Sequence, residues 1–423
     1  MSWQLPFSRW LPEYKNPGII RADVLAGLTG AIVVMPQGIA FALLAGMPPQ
    51  YGLYAAMVPC LIAALFGSSR LMVTGPANAI SLTTMALIAP LAPPESSTYV
   101  AYVLTLSFLV GVLQLSLGLS KAGNWVEKVP HSVIVGFTTG AAILIINSQL
   151  GTLLGASVPR GKNVVDTIGT VIGAFQNNQW QIAAPALVLF TLSIIRYWRT
   201  LNRFVPAILV AVILGSLAAA ILEILFPSMG AFKKVQEIPG ALPPLSYPDL
   251  STDTLQKLFS AAVIMTLLAS TEAMAIARAI SLKTKDQFNA NQEFIGQGLA
   301  NVCGAFFSAY PASGSFNRTG VNLASGAKTP LSAICAAMFL VLLLIFLSSL
   351  AKYIPYVVIA SLLLVVAWNL IDLKQIRHEI HIGPNAWIPM VVTGIGTITI
   401  SLEWAILGGI LTSVVVRRFF TKH

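Results

Sequence analysis

The chain reads as an all-α polytopic membrane protein. It has fourteen membrane elements in a seven-plus-seven inverted repeat, with two half-helices, elements 3 and 10, preceded by short extended segments. Three observations carry this reading. Of 423 residues, 56% are hydrophobic and only 9% are charged, with a mean hydropathy of +0.79. A soluble domain carries about 25% charged residues, so this chain cannot hydrate its own surface. Apolar runs recur along its length between turn signals and charges, and two of them begin at matching glycine breaks.

In order, element 1 (24–46) follows the basic lead-in and holds "VVMPQGIAFALLAG", and element 2 (51–67) starts past Pro48-Pro49 and stops at "GSSR". Element 3 (74–91) begins at "TGPAN", and element 4 (99–120) lies between "PPESS" and Lys121. Element 5 (131–155) follows Pro130, element 6 (180–198) ends at Arg199, and element 7 (205–226) runs to Pro227. After a polar connection come element 8 (255–280), element 9 (288–308) and element 10 (315–325), the last starting at "SGSFN". Elements 11 (329–350), 12 (354–371), 13 (386–401) and 14 (403–419) follow, bounded by Lys328, Lys352, Pro384 and Arg417-Arg418. The first 20 residues are mixed, proline-broken and basic, unlike the apolar core of a cleavable signal. They read as a cytoplasmic segment lying against the membrane.

Charge placement tests the count. With both termini cytoplasmic, nineteen lysines and arginines, Arg318 among them, fall on the inner side. Arg160, Lys162, Lys233, Lys234, Lys257 and Lys352 fall outside. That bias is the one cytoplasmic loops carry. It also accounts for the net charge of +10 without nucleic acid, because the cations are scattered rather than gathered with aromatics.

The whole of 1–423 reads as one transmembrane domain. A cut in the connection at 227–254 leaves a first repeat over 20–226 and a second over 255–420, with seven elements each. An odd number per half makes the second half enter the membrane from the opposite side, a plan common in transporters. The breaks correspond: Gly75-Pro76-Ala77-Asn78 and Gly314-Ser315-Phe316-Asn317 share G-[PS]-x-N, 239 positions apart, each in the third element of its half.

A helix that starts inside a membrane exposes its first N–H groups and about +0.5 charge at that end. Two such ends facing each other form an anion site. Pro76 is expected in the first turn of element 3, where its missing N–H costs nothing. Arg318, in the first turn after Gly314, adds to the positive field. Alternatively it pairs with Glu272 or snorkels to the interface. Asn78 and Asn317 either donate to the anion or cap the half-helices. Gln37 and Phe41, four apart in element 1, share one face; Gln37 can donate to an oxyanion and Phe41 can form an apolar wall, or both simply pack.

Glu272, in "LLASTEAMAIARAISL", is an intramembrane carboxylate and a candidate for ion coupling. Two helix ends plus Arg318 give about +2. That suits a divalent anion with Glu272 protonated, and a monovalent anion or co-bound cation with it ionised.

Other signals carry no chemistry. "HEIH" (His378–His381) lacks zinc-protease spacing, "SGAKTP" is not a phosphate loop, and "NRT" at Asn317 lies in the broken-helix region. Cys60, Cys303 and Cys335 are far apart in apolar runs and give neither a disulfide framework nor a metal spacing. No nucleophile–base constellation is visible, so no enzyme activity, catalytic residue, metal ligand or organic cofactor is expected.

"MPQGIAFALLAGMPPQYGLYAAMVPCLIAALFGSSRLMVTGPANAISL" resembles the signature region of the SulP (sulfate permease) family of anion transporters, which includes animal anion exchangers and prestin. "VIVGFTTGAAILI" and "TEAMAIARAISLKTKDQFNANQEFIGQGLANVCGAFFSAYPASGSFNRTGVN" resemble it too, so the likeness spans the membrane portion.

It implies core and gate domains, with substrate between elements 1, 3, 8 and 10, and a homodimer in a bacterial inner membrane. Gln37 and Phe41 match first-element substrate positions. Ala77 matches a third-element contact that is aromatic in some relatives, Asn317 and Arg318 match the tenth-element pair, and Glu272 matches the acid of uptake-type members. Family members usually continue into a cytoplasmic STAS domain; this chain ends at "RRFFTKH", so none is expected within it.

The expected anion-binding set is Gln37, Phe41, Gly75, Ala77, Asn78, Ser315, Phe316, Asn317 and Arg318, with Glu272 as the ion-coupling residue. The expected activity is proton-coupled uptake of sulfate or a similar oxyanion by alternating access. Sodium-coupled bicarbonate transport, dicarboxylate symport and a passive anion channel or exchanger are the alternatives. A nucleobase–proton symporter would require more base-reading polar side chains.

Overall fold

A computed structural model describes residues 6–121, 130–156, 158, 164–178, 180–202, 205–227, 231–235, 238, 242–284, 286, 288–400 and 402–420. Lys128, Arg160, Lys162, Arg203, Lys285 and Lys422 of the charge count lie outside the described residues.

A 3-10 helix, Pro6–Lys15, leads into α1 (Pro17–Leu44), α2 (Pro49–Phe66), β1 (Thr74–Gly75), α3 (Asn78–Ile88) and α4 (Ser97–Leu119). Next come α5 (His131–Leu153), α6 (Val164–Gln176), α7 (Ala183–Leu201) and α8 (Ala207–Leu225). The second half brings α9 (Thr252–Thr284), α10 (Ala290–Phe306), β2 (Ser313–Gly314), α11 (Phe316–Ala324) and α12 (Leu331–Leu347). It closes with a 3-10 turn (Ser348–Tyr353), α13 (Tyr356–Leu370), α14 (Leu373–Ile382), α15 (Pro384–Thr399) and α16 (Leu402–Phe420).

Among the described residues, eight helices are long and apolar enough to cross a bilayer, and four shorter apolar ones accompany them. Two helices lie where the sequence reading placed connections: α6 (VVDTIGTVIGAFQ) and α14 (LKQIRHEIHI). Both are short and carry polar side chains, so a search for long apolar runs passes over them. Asp372 starts α14 by accepting from the N–H groups of Lys374 (2.9 Å) and Gln375 (3.0 Å), an ordinary N-cap. The "HEIH" stretch is therefore helical rather than a loop.

The chain divides into two compact units that cut across the sequence halves. Unit 1 comprises Met1–Lys128 and Gln236–Lys352; unit 2 comprises Val129–Val235 and Tyr353–His423. Each expected repeat, 20–226 and 255–420, therefore contributes to both.

In unit 1, α10 packs on α4 and α2, and α1 packs on α12 and α2. Small residues let the α1 and α2 backbones touch: a Cβ on Gly52 would lie 1.8 Å from the Gly38 carbonyl oxygen. Asp23 of α1, fully buried, accepts from the N–H groups of Lys328 (2.6 Å) and Thr329 (3.1 Å) and from the Thr329 hydroxyl. It thereby holds the turn that starts α12. The N-terminal 3-10 helix is tied to the same unit, with Tyr14 Oη 3.0 Å from Thr329 Oγ1 and Glu13 paired with Arg70.

In unit 2, α15 packs on α16 and α5, while α13 packs on α5 and α7. Ala184, Leu187, Val358 and Ala360 are at its core. Residues 233–235 lie along 354–356, with Val235 donating to Ile354 (2.9 Å) and Tyr356 to Lys233 (2.9 Å). His131 at the start of α5 is 2.9 Å from Glu379 of α14.

Candidate anion site in unit 1

Gly75 precedes a proline, which pushes the preceding residue into extended backbone. It forms β1 with Thr74 and pairs antiparallel with β2, in the register Thr74↔Gly314 and Gly75↔Ser313. The Ser315 N–H continues the ladder to the Val73 carbonyl at 3.0 Å. α3 starts three residues after β1, and α11 two residues after β2. Pairing the strands therefore brings both helix N-termini to within about 10 Å of chain from one shared ladder. Sequence analysis expected the two short extended segments; their pairing with each other was not legible.

Two expectations change here. Pro76 is not in the first turn of α3 but one residue ahead of its cap, Ala77. The caps are not the asparagines either. Ala77 offers no side-chain hydrogen bond, whereas Ser315 caps α11 by accepting from the Arg318 N–H at 3.5 Å. The first N–H groups of a helix have no partner within it, so the α3 start, with only a methyl at its cap, has donors to spare.

Arg318 is buried, at 4% exposure. It makes no ion pair with Glu272 among the described residues. Instead Nη1 donates to the Thr74 carbonyl (2.8 Å), and Nη2 to the Ala56 carbonyl (3.3 Å) and to Cys60 Sγ (3.6 Å). Pro59 has no N–H for the carbonyl of Ala55, one turn earlier, next to the Ala56 carbonyl that the guanidinium meets. Gly75 leaves the necessary room, since a Cβ there would lie 1.8 Å from Nη1. Nε is buried without a partner. Carbonyl dipoles meet the two terminal nitrogens while, among the described residues, no carboxylate pairs with the charge, which leaves a fixed positive field beside β1.

The remaining candidates divide. Gln37 (5% exposed) and Asn78 (9%) are buried polar side chains whose Gln37 Oε1 and Asn78 Oδ1 have no hydrogen-bond partner. They sit on α1 and α3, which pack together. Phe41 and Ala77 are buried at 1% and 3%, so Phe41 packs within the unit. Phe316, at the first position of α11, is 57% exposed, and Asn317 is half-buried.

Glu272 lies on α9 between Ala269 and Ala273, two positions that meet β2. Ser313 Oγ donates to the Ala269 carbonyl at 2.7 Å, and a Cβ on Gly314 would lie 3.3 Å from Ala273 Cα. Its Oε2 is buried without a partner.

Sequence reading passed over a polar ladder on α10. Glu293, Gln297 and Asn301 are buried at 1%, 1% and 0%. Oε2 of Glu293 accepts from the N–H groups of Ser68 and Ser69, both at 2.7 Å. Nε2 of Gln297 lies 3.1 Å from Glu293 Oε1 and 2.8 Å from Thr74 Oγ1. Asn301 pairs with both backbone groups of Ala312, accepting at 2.8 Å and donating at 3.0 Å. The E-x3-Q-x3-N spacing in "NQEFIGQGLANVCG" is the signal that marks it. Tyr310 adds a further tie across the two segments, its hydroxyl 2.9 Å from Ser81 Oγ of α3.

The family model described as "Sulfate permease family" matches residues 20–393. The chain is 32% identical over 411 residues to the chloroplastic sulfate transporter 4.1 of Arabidopsis thaliana, covering 96% of this chain and 59% of that protein. It thus spans about three fifths of that relative's length.

Solved structures share the fold, two of them as follows. The transmembrane domain of BicA, a cyanobacterium bicarbonate transporter, has a TM-score of 0.80 at 26% identity, covering 93% of this chain and 97% of that one. SLC26A9 has a TM-score of 0.88 at 24% identity, covering 98% and 68%. With a family match across residues 20–393 and a fold shared with transporter structures, this chain belongs to the sulfate permease family of membrane transport proteins.

Proposed function

We propose that the chain is the membrane domain of a secondary active anion transporter that takes up sulfate, or a similar oxyanion, together with a proton. The observation that carries this reading is the β1–β2 pairing. It joins the starts of two short helices beside Arg318, a buried guanidinium bound by carbonyls rather than by a carboxylate. Backbone N–H groups at two helix starts plus that charge favour an anion. Gln37, Asn78 and Asn317 would donate from their amides, Gly75, Ala77, Ser315 and Phe316 would line the mouth, and Phe41 would back Gln37. Sulfate is favoured by the sulfate-transporting relative.

In this reading α3 and α11 are half-helices of a seven-plus-seven inverted repeat. Units 1 and 2 are the core and gate of an alternating-access cycle, and the protein is a homodimer in a bacterial inner membrane with both termini cytoplasmic. Glu272 carries the coupled proton. Protonated, it leaves about +2 from the helix ends and Arg318, matched to a divalent anion. Released inside, the proton and anion leave together.

A second reading, sodium-coupled bicarbonate transport, is favoured by the likeness to BicA at a TM-score of 0.80. There Glu272 would be ionised beside the cation. Proteoliposomes loaded under ΔpH or a Na⁺ gradient, imposed separately, distinguish them. Proton-driven accumulation of labelled sulfate supports the first; Na⁺-driven accumulation of labelled bicarbonate, without response to ΔpH, replaces it.

A further inference from the structure

Glu293, Gln297 and Asn301 stand at i, i+4 and i+8 on α10, one above the next on a single face. For packing alone this face would be better served by leucine, because a buried carboxylate and two buried amides are costly unless each finds partners. Their partners are concentrated in the non-helical segments that carry the candidate site. Glu293 holds the Ser68 and Ser69 N–H groups ahead of β1, Gln297 holds the Thr74 hydroxyl within β1, and Asn301 holds Ala312 directly before β2.

Thr74 is the shared point. Its side chain is fixed by Gln297, while its carbonyl receives Arg318 Nη1 at 2.8 Å. Asn301 also donates to Gln114 Oε1 (2.9 Å), whose Nε2 reaches Ser270 Oγ (3.4 Å), two residues from Glu272.

We propose that Glu293, Gln297 and Asn301 are positioning residues. They hold the two extended segments in one register, so that both helix starts and Arg318 act on the anion together. The proposal rests on the anion-transport reading above. None of the three touches the anion. Loosening the ladder lets the helix ends drift apart and weakens anion binding, while the transport step itself is spared.

The test is a double-mutant cycle on the full chain in proteoliposomes, read as initial rates of labelled sulfate uptake against concentration. Gln297→Leu should raise the apparent KM about tenfold, the size of one lost net hydrogen bond, with the maximal rate within about twofold. Thr74→Val should do the same, Thr74→Ser should restore the KM, and Gln297→Leu/Thr74→Val should be no worse than either single variant. Additive effects, or a fall in maximal rate at unchanged KM, overturn the proposal.

If the wild type moves neither sulfate nor bicarbonate, the transport reading fails by itself. The ladder is then judged at Cys60, whose Sγ lies 3.6 Å from Arg318 Nη2. In a Cys303→Ser/Cys335→Ser background, Gln297→Leu should change the maleimide labelling rate of Cys60 several-fold as Arg318 leaves Sγ. An unchanged labelling rate overturns the proposal without any transport measurement.

Discussion

Gly75 and Arg318 occupy one space: a Cβ on Gly75 would lie 1.8 Å from Arg318 Nη1. The two residues are 243 positions apart in sequence, yet Arg318 can occupy its place only because position 75 has no side chain. Gly75→Ala must therefore expel the guanidinium from the Thr74 and Ala56 carbonyls. Each hydrogen bond to a charged group is worth about 1.5–3 kcal/mol, so labelled-anion uptake should fall by at least about tenfold. Uptake at the wild-type rate would mean that Arg318 is not held at this position during transport.

Arg318 itself combines a charge with a fork. Arg318→Gln removes the charge and leaves buried carbonyls unmet, and uptake should drop by about a hundredfold or more. Arg318→Lys keeps the charge but, as a point donor, cannot span both carbonyls. It should recover part of the rate with a raised KM. Equal loss in both variants would assign Arg318 to the fork geometry alone.

Glu272→Gln keeps the shape of the side chain and removes its titration. Anion binding and exchange down a gradient should persist, while accumulation driven by ΔpH should vanish. Measured at a fixed inward anion concentration, undiminished ΔpH-driven accumulation would exclude Glu272 as the proton carrier.

Asp23 tests the scaffold rather than the site. Asp23→Asn removes the charge that receives the Lys328 and Thr329 N–H groups and the Thr329 hydroxyl, a loss of about 1.5–3 kcal/mol. The thermal midpoint of the purified protein should fall by several degrees, with little change in the KM for labelled anion. A lowered midpoint with a changed KM would tie the α12 turn to the anion site.

Much of this protein was legible in its sequence. Composition alone required a bilayer, because 9% charged residues cannot solvate a surface. The long apolar runs of α1, α2, α4, α5, α8, α9 and α12 stand out because lipid forces each spanning segment to satisfy its own backbone. The breaks at Gly75 and Gly314 were visible for the same reason: glycine and proline in such runs mark where that rule is suspended. The ionisable residues Arg318 and Glu272 within apolar runs were equally conspicuous.

What the tertiary structure decided is whom those residues meet. Arg318, for which a pair with Glu272 was one of the alternatives, meets the carbonyls of Thr74 and Ala56 instead. Part of the reason lies on β1, where Gly75 makes room. Asn78 is the first helical residue of α3 rather than its cap, because the helix starts directly after Ala77. The α10 ladder stayed hidden because Glu293, Gln297 and Asn301 look like ordinary polar residues until the distant segments they hold are known. Local physics determines which groups are exposed at a broken helix; only long-range packing, set by close glycine contacts and buried partners, determines what they face.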